Sequence, residues 1–307
     1  MKKDDLRVYP SPQQLGEMSL RGRNLSWQPP YQKLTPLTGK HRSKQRGRGL
    51  DFVELRHYYA GDDVRCIDWK VTQRTGQPYL RVYAEENDKN IALLIDLRTT
   101  MFFASDGQMK SVVASEAAAI AAGAANHHGD RVGAVILTDD GIVTLPFRRG
   151  EKALFALLSA VSEHANKLPN WEAPQNGKPT LADGLQHLVD LGLKESQCLI
   201  FSDFNDYDKQ KASSMIDTLA HRNSLIGVCI TDPLEAQFPQ QNIVLGNNDY
   251  QVELKKDDKE SRARFEHYIQ QQKLDLQQHF LRHRLALLNL TTHQNAWEQL
   301  WSMTRPA

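Results

Sequence analysis

The rhythm of apolar and polar positions changes near residue 90. Beyond it, short uniform apolar runs alternate with longer segments of helical spacing. The short runs are "IALLID" (91–96), "RVGAVILT" (131–138), "QCLIFSD" (197–203) and "SLIGVCITD" (224–232). Runs of that length without alternation predict strands buried on both faces. "GIVTLPF" follows the turn residues 139–141 and predicts the hairpin partner of the second run. Helices are expected at 110–126, 151–166, 180–191, 208–222 and 295–301, the first so rich in alanine that it must pack closely. "IVLGNNDYQVEL" (243–254) predicts a hairpin and "RLALLNLTT" (284–292) a last strand. Residues 257–283 predict a long charged helix with Phe265, Tyr268, Leu274, Leu276 and Phe280 as its buried stripe. Such alternation implies an α/β fold, a doubly wound and mostly parallel six-stranded sheet with helices on both faces.

The first ninety residues differ. Residues 1–49 have weak periodicity, scattered Pro and Gly and the basic run "GKHRSKQRGRG". They predict an extended basic arm with a short helix near residues 12–21. Residues 50–89 are rich in aromatic and β-branched residues between turn signals at 60–63 and 76–78, which predicts a small N-terminal β unit. The main domain is then expected over residues 90–307.

Composition narrows the function. The chain has 307 residues, 40% of them hydrophobic, and its 38 basic and 37 acidic side chains nearly cancel. Net charge therefore points neither to nucleic acid nor to a membrane surface. The three cysteines, Cys66, Cys198 and Cys229, form no CxxC pair. No apolar run approaches the roughly 18 residues that span a bilayer, and the opening residues lack the apolar core of a signal peptide. A cytoplasmic location is expected. A Walker pattern, a GxSxG elbow and an HExxH pair are all missing, so no catalytic set is expected. His127 and His128 before Gly129 predict a helix end.

The candidate chemistry lies at strand ends, where doubly wound sheets bind ligands. Asp96, Arg98 and Thr100 follow the first run, Thr180 heads a helix, and Ser202 and Asp203 close a strand. Carboxylates and hydroxyls are hard ligands suited to Mg2+ or Mn2+. This order resembles a von Willebrand factor A-type domain, whose metal-ion-dependent adhesion site opens with Asp-x-Ser-x-Ser. Asp96-Leu97-Arg98-Thr99-Thr100 stands at the first motif, Thr180 at the second and Asp203 at the third. A metal bound there would use Asp96, Thr100, Thr180 and Asp203, and no cofactor is required beyond a weak Mg2+ or Mn2+. Arg98 stands where the first hydroxyl belongs, and a guanidinium cannot ligate a cation. Two arrangements are open. Arg98 swings outward and leaves a water-completed site, or its guanidinium takes the metal position and pairs with Asp96 or Asp203. Repulsion between carboxylates that meet in a crevice favours the second.

The segment "GRGLDFVELRHYYAGDDVRCIDWKVTQRTGQPYLRVYAEE" (47–86) resembles the signature of the domain-of-unknown-function 58 family, which joins such a segment to a degenerate A-type domain. The likeness runs from about residue 39 to the end of the chain. It implies the soluble branch of that family, no catalytic activity, and work as an adaptor or co-chaperone with a MoxR-type AAA+ ATPase and a client protein. The crevice is then expected to meet an acidic or carbonyl ligand of the partner through Arg98 and Thr100. Within the signature, Asp–Arg pairs are expected to fasten the unit, and Arg65, Trp69 and Arg74 are candidates for partner contact. Two other functions compete. A metal-dependent hydrolase would use Asp96 and Asp203 but lacks a placed base. A nucleic-acid binder would use residues 40–48, which hold no aromatic for stacking.

Overall fold

The computed structural model describes residues 5–25, 50–59, 61–85, 89–168, 178–236, 243–246, 251–254 and 259–304. They form two compact units, Met1–Leu34 with Lys89–Ala307, and Thr35–Asp88. In chain order the elements begin with α1 (Pro12–Gly22), β1 (Leu50–His57), α2 (Trp69–Thr75), β2 (Tyr79–Glu85), β3 (Asn90–Asp96) and α3 (Lys110–His127). Then come β4 (Arg131–Thr138), β5 (Gly141–Arg148), α4 (Glu151–Ala165), α5 (Leu181–Asp190), β6 (Gln197–Ser202), α6 (Lys211–Arg222) and β7 (Ser224–Thr231). The chain continues through α7 (Pro233–Ala236), β8 (Ile243–Gly246), β9 (Gln251–Leu254), α8 (Lys259–Arg282), β10 (Ala286–Thr291) and α9 (Ala296–Thr304).

Six strands build the main sheet in the order β10-β7-β6-β3-β4-β5, all parallel except β5, which pairs antiparallel with β4 as the hairpin signal predicts. The chain runs from β3 outward to β4 and β5, then returns to the other side of β3 as β6. The strand order therefore reverses between β3 and β6. β3 is buried from Ile91 to Asp96, which its uniform apolar run requires. Successive residues face opposite cores. Leu93 and Ile95 pack with α3, α4 and α9, whereas Ala92 and Leu94 pack with α5, α6 and α8. The expected β8–β9 hairpin is present. Leu276 and Phe280 of α8 are buried as expected, but Leu274 faces solvent. The side chains of Phe265 and Tyr268 lie outside the described residues.

The N-terminal reading is corrected. Residues 5–25 are not an arm but part of the larger unit, with α1 laid on α3. Ser11 and Gln14 form a capping box, and Pro12 sits in the first turn. The two helices meet backbone to backbone. A Cβ on Gly123 would lie 1.9 Å from the Ser19 carbonyl oxygen, and one on Gly22 2.1 Å from that of Ile120. Small residues make this contact, so no strong apolar stripe announced it. Buried Glu116 of α3 accepts from Gln14 Nε2 at 2.8 Å and Gln108 Nε2 at 3.1 Å, and burial raises its pKa. α3 is thus covered by the sheet on one side and α1 on the other, which explains its alanines. It ends at His127, with Gly129 at φ 82° just beyond, as the His-His-Gly sequence predicts. The basic run at 40–48 lies outside the described residues.

The smaller unit pairs β1 with β2 antiparallel. Its middle is helical rather than extended, a second correction. Asp68 caps α2 by accepting from the N–H groups of Lys70 and Val71, and Gly76 at φ 72° ends it. These are ordinary start and stop signals within an aromatic-rich stretch that reads as strand. Asp–Arg pairs fasten the unit as expected. Arg56 donates to Asp62 at 2.8 and 2.7 Å, and Arg81 to Asp68 at 2.7 Å.

Candidate functional site

The reversal of strand order between β3 and β6 opens a crevice at their carboxyl ends. Asp96 ends β3 and Ser202 ends β6. The register pairs Ile95 with Phe201, which sets Asp96 level with Ser202. Ser202 Oγ donates to Asp96 Oδ2 at 2.7 Å. Both residues are fully buried.

Arg98 turns inward and fills the crevice. Its Nε donates to Asp96 Oδ1 at 2.9 Å and its Nη2 to Asp96 Oδ2 at 2.7 Å. The other edge of the guanidinium meets Asp206, Nη1 to Oδ2 at 2.5 Å and Nη2 to Oδ1 at 2.9 Å. Nη1 also reaches the Pro179 carbonyl at 3.3 Å. A guanidinium has five N–H donors, and these contacts take all five. Burial opposes the charge on Arg98, but its hydrogen bonds to both carboxylates outweigh this and raise its pKa. Burial likewise pushes Asp206 up, and the Arg98 hydrogen bonds more than reverse this, leaving its pKa lowered.

The sequence expected Arg98 to pair with Asp96 or Asp203. The partners are Asp96 and Asp206. Asp206 is delivered by a sharp turn, in which Phe204 takes a left-handed φ of 54°. For a bulky residue that conformation costs about 1–3 kcal/mol. It is held by Phe204 N–H donating to Ser202 Oγ at 3.0 Å and by the Phe204 ring packing edge-on against Phe280.

Asp203 has a different cation. Lys110 Nζ lies 3.4 Å from Asp203 Oδ2 and contacts Glu235. Asn205 donates to Asp203 from its backbone at 3.1 Å and its side chain at 2.7 Å. Burial raises the Asp203 pKa, with Lys110 pulling the other way. Two further strand-end carboxylates were not expected. Asp139 after β4 accepts from Thr99 N–H at 2.6 Å, and Asp232 after β7 accepts from Ser105 N–H at 2.8 Å and Thr292 Oγ1 at 2.7 Å. Four adjacent parallel strands thus end in a buried acid, two of them facing a cation (Asp96 with Arg98, Asp203 with Lys110) and two held by neutral hydrogen-bond donors (Asp139 and Asp232).

The threonines contribute differently from the motif. Thr180 caps α5, with its hydroxyl donating to Asp183 at 2.7 Å, while the preceding Pro179 carbonyl faces Arg98. Thr100 is exposed, in the short helical turn that follows Arg98. A divalent cation does not fit this donor set. Asp96 Oδ1 is taken by the Nε and backbone N–H of Arg98 and Oδ2 by Nη2 and Ser202, so neither oxygen is left for an ion. Arg98 also has no donor left for an acidic ligand of a partner, which corrects that expectation. In the smaller unit, Arg65 and Arg74 are exposed, and Trp69 is 68% exposed.

The model of a family described as "Protein of unknown function DUF58" matches residues 54–275. Uncharacterized proteins of Mycobacterium bovis and Mycobacterium tuberculosis are each 26% identical over 203 residues, 66% of this chain and 62% of theirs. The chain therefore spans less than two thirds of the length of these curated relatives. Among solved structures, it is similar to the conserved hypothetical protein BatB of Bacteroides thetaiotaomicron (TM-score 0.44, 10% identity, 70% of this chain and 95% of that one). An aerotolerance-related membrane protein of Bacteroides fragilis gives TM-score 0.40, 11% identity and coverage of 70% and 96%. A von Willebrand factor type A structure from Catenulispora acidiphila gives 0.34, 14%, and coverage of 48% and 34%. The expected cytoplasmic location is corrected at this point, because similar structures include a membrane protein. No helix among the described residues is long and apolar enough to cross a membrane. Free cysteines and the lack of an apolar run do not specify a compartment.

Proposed function

Because the chain belongs to the DUF58 family, whose function is unknown, and carries its own cation at the strand-end crevice, we propose that it is a non-catalytic interaction protein. In this reading it serves as an adaptor or co-chaperone for a MoxR-type AAA+ ATPase, which supplies the ATP hydrolysis and acts on a client protein. The partner class rests on the family likeness. The observation that carries the non-catalytic reading is the double bidentate clamp of Arg98 on Asp96 and Asp206.

The crevice is then a degenerate metal-ion-dependent adhesion site in which a guanidinium takes the place of the metal. A clamp of this kind is rigid and needs no ion to be recruited. It also changes the ligand. One Arg faces two carboxylates, and the Asp206 side chain is 36% exposed, so the opening of the crevice favours a basic or amide-bearing segment of the ATPase. Thr100 is exposed in the turn that follows Arg98. Arg65, Trp69 and Arg74 offer a second contact on the smaller unit, since exposed Trp and Arg are the usual anchors of interfaces. The hydrolase reading needs a free Asp96, and both of its oxygens are occupied.

The test uses a purified MoxR-type ATPase from the same organism, loaded with a non-hydrolysable ATP analogue and immobilised. The wild-type chain should bind. Thr100→Arg and Trp69→Ala change exposed side chains, so each should weaken binding by about tenfold or more while leaving the melting temperature unchanged. Absence of binding, or wild-type affinity in both variants, would overturn the proposal.

A further inference from the structure

Away from the crevice, α6 and the end of α8 bring three metal-ligating side chains together. Asp217 comes from α6, and His279 and His283 come from α8 and the turn that continues it. The His283 N–H donates to the His279 carbonyl at 3.3 Å, so the helical turn carries both rings to one side. This is the i, i+4 spacing by which a helix presents two imidazoles to one ion. The rings lie 4.8 Å apart between centroids and are inclined by 30°.

The distances suit an ion. His279 Nε2 and His283 Nε2 are each 3.2 Å from the same oxygen, Asp217 Oδ1. Zinc–nitrogen and zinc–oxygen bonds of about 2.0–2.1 Å place neighbouring corners of a tetrahedron roughly 3.3 Å apart. Yet Asp217 Oδ1 and His279 Nε2 are buried, and their 3.2 Å contact is poorly aligned for a hydrogen bond. Two polar atoms thus face each other at contact distance with no aligned proton between them. Unsatisfied buried polar atoms are rare and call for a reason, and three ligand atoms converging on one point supply it. The packing around them is fixed, because Ile216, Leu219, Leu276 and Phe280 on the same two helices are buried in the core. His283 is half-exposed and already directs its Nε2 at Asp217.

We propose that Asp217, His279 and His283 form a site for a zinc-class divalent transition metal that ties α6 to the end of α8. Two imidazoles and one carboxylate select Zn2+, Co2+ or Ni2+ over Mg2+ and Ca2+. Water completes the coordination at the solvent side. The site is independent of the crevice and of the proposed partner.

The test titrates the full, untagged chain with Zn2+ by calorimetry and with Co2+ by visible absorption. One equivalent of Co2+ should give the intense spectrum of a four-coordinate ion, displaced by Zn2+, and Zn2+ should raise the melting temperature. Asp217→Asn and His283→Ala should each lower affinity by about tenfold or more and abolish the spectrum. His283 is exposed enough for that variant to fold, and its circular dichroism checks this. His293→Ala, which removes an exposed histidine paired with Asp106 outside both sites, should bind Zn2+ as wild type does. Absence of Zn2+ binding at millimolar concentration, or binding unchanged in both Asp217→Asn and His283→Ala, would overturn the proposal.

Discussion

Replacing Arg98 by Ala tests the clamp through its energetics. The substitution removes five side-chain hydrogen bonds and leaves Asp96, whose side chain is 0% exposed, without a counter-charge. Two donors remain to Asp96, Ser202 Oγ at 2.7 Å and the backbone N–H of residue 98 at 3.2 Å. They satisfy geometry but do not neutralise a buried charge. Breaking one side of a buried ion pair costs about 3–5 kcal/mol. Asp206 adds little to this, since its side chain is 36% exposed and water can solvate it. At roughly 2–4 °C per kcal/mol, the melting temperature should fall by about 6–20 °C. Urea denaturation of wild type, Arg98→Ala and the double variant Asp96→Asn/Arg98→Ala measures the loss and its cause. The double variant removes the orphaned charge and should recover about half of the loss or more. A loss below about 1 kcal/mol in Arg98→Ala, or a double variant no better than the single one, would refute the clamp as a buried, charge-balancing element.

Two further outcomes follow from the same structure. The Asp206 pKa is lowered in the folded chain, where Arg98 hydrogen bonds outweigh the effect of burial. Its contribution to stability is therefore present above an unfolded value of about 3.9 and is lost as pH falls through the lower folded value. Thermal melts from acid to neutral pH should show wild type more stable than Asp206→Asn near neutrality, with the gap closing below about pH 4; a gap that widens on acidification contradicts the assignment. Gly123→Ala would place a Cβ 1.9 Å from the Ser19 carbonyl oxygen and force α1 off α3. It should cost about 1–3 kcal/mol in urea denaturation and speed proteolysis before residue 25, whereas an unchanged protein would mean that α1 is not docked.

The α/β architecture was legible because its signals are local and strong. Uniform apolar runs such as "IALLID" read as strands buried on both faces, and the hairpin β4–β5 was announced by the turn at residues 139–141. The placement of α1 was not legible, since the contact is made by Gly22, Ser19 and Gly123, which leave no apolar stripe. α2 was missed for another reason. Its flanks are rich in aromatic and β-branched residues, and only Asp68 and Gly76 marked its ends. At the crevice, Asp96 and Arg98 stood out because a charge closes an apolar run. Asp206 did not, being one of several acids in "SDFNDYD", and only the left-handed turn at Phe204 brings it back to Arg98. Lys110 was hidden in the first turn of an alanine-rich helix, more than ninety residues from the Asp203 it neutralises. One signal was available and unread, that "IALLID", "RVGAVILTD", "QCLIFSD" and "SLIGVCITD" all end in Asp at the same edge of the sheet.

The claim at the centre of this account is that Arg98 occupies the position a metal would hold. The measurement that tests it most directly is a Mn2+ titration by calorimetry of Asp217→Asn chains, which lack the proposed histidine site, with and without Arg98→Ser. The Arg98→Ser substitution removes the guanidinium and restores a hydroxyl at the first motif. With Arg98 in place, no Mn2+ should bind in a manner that depends on Asp96. With Arg98→Ser, one equivalent should bind and be lost again when Asp96→Asn is added. Asp96-dependent Mn2+ binding by the chain that retains Arg98, or none after Arg98→Ser, would contradict the account.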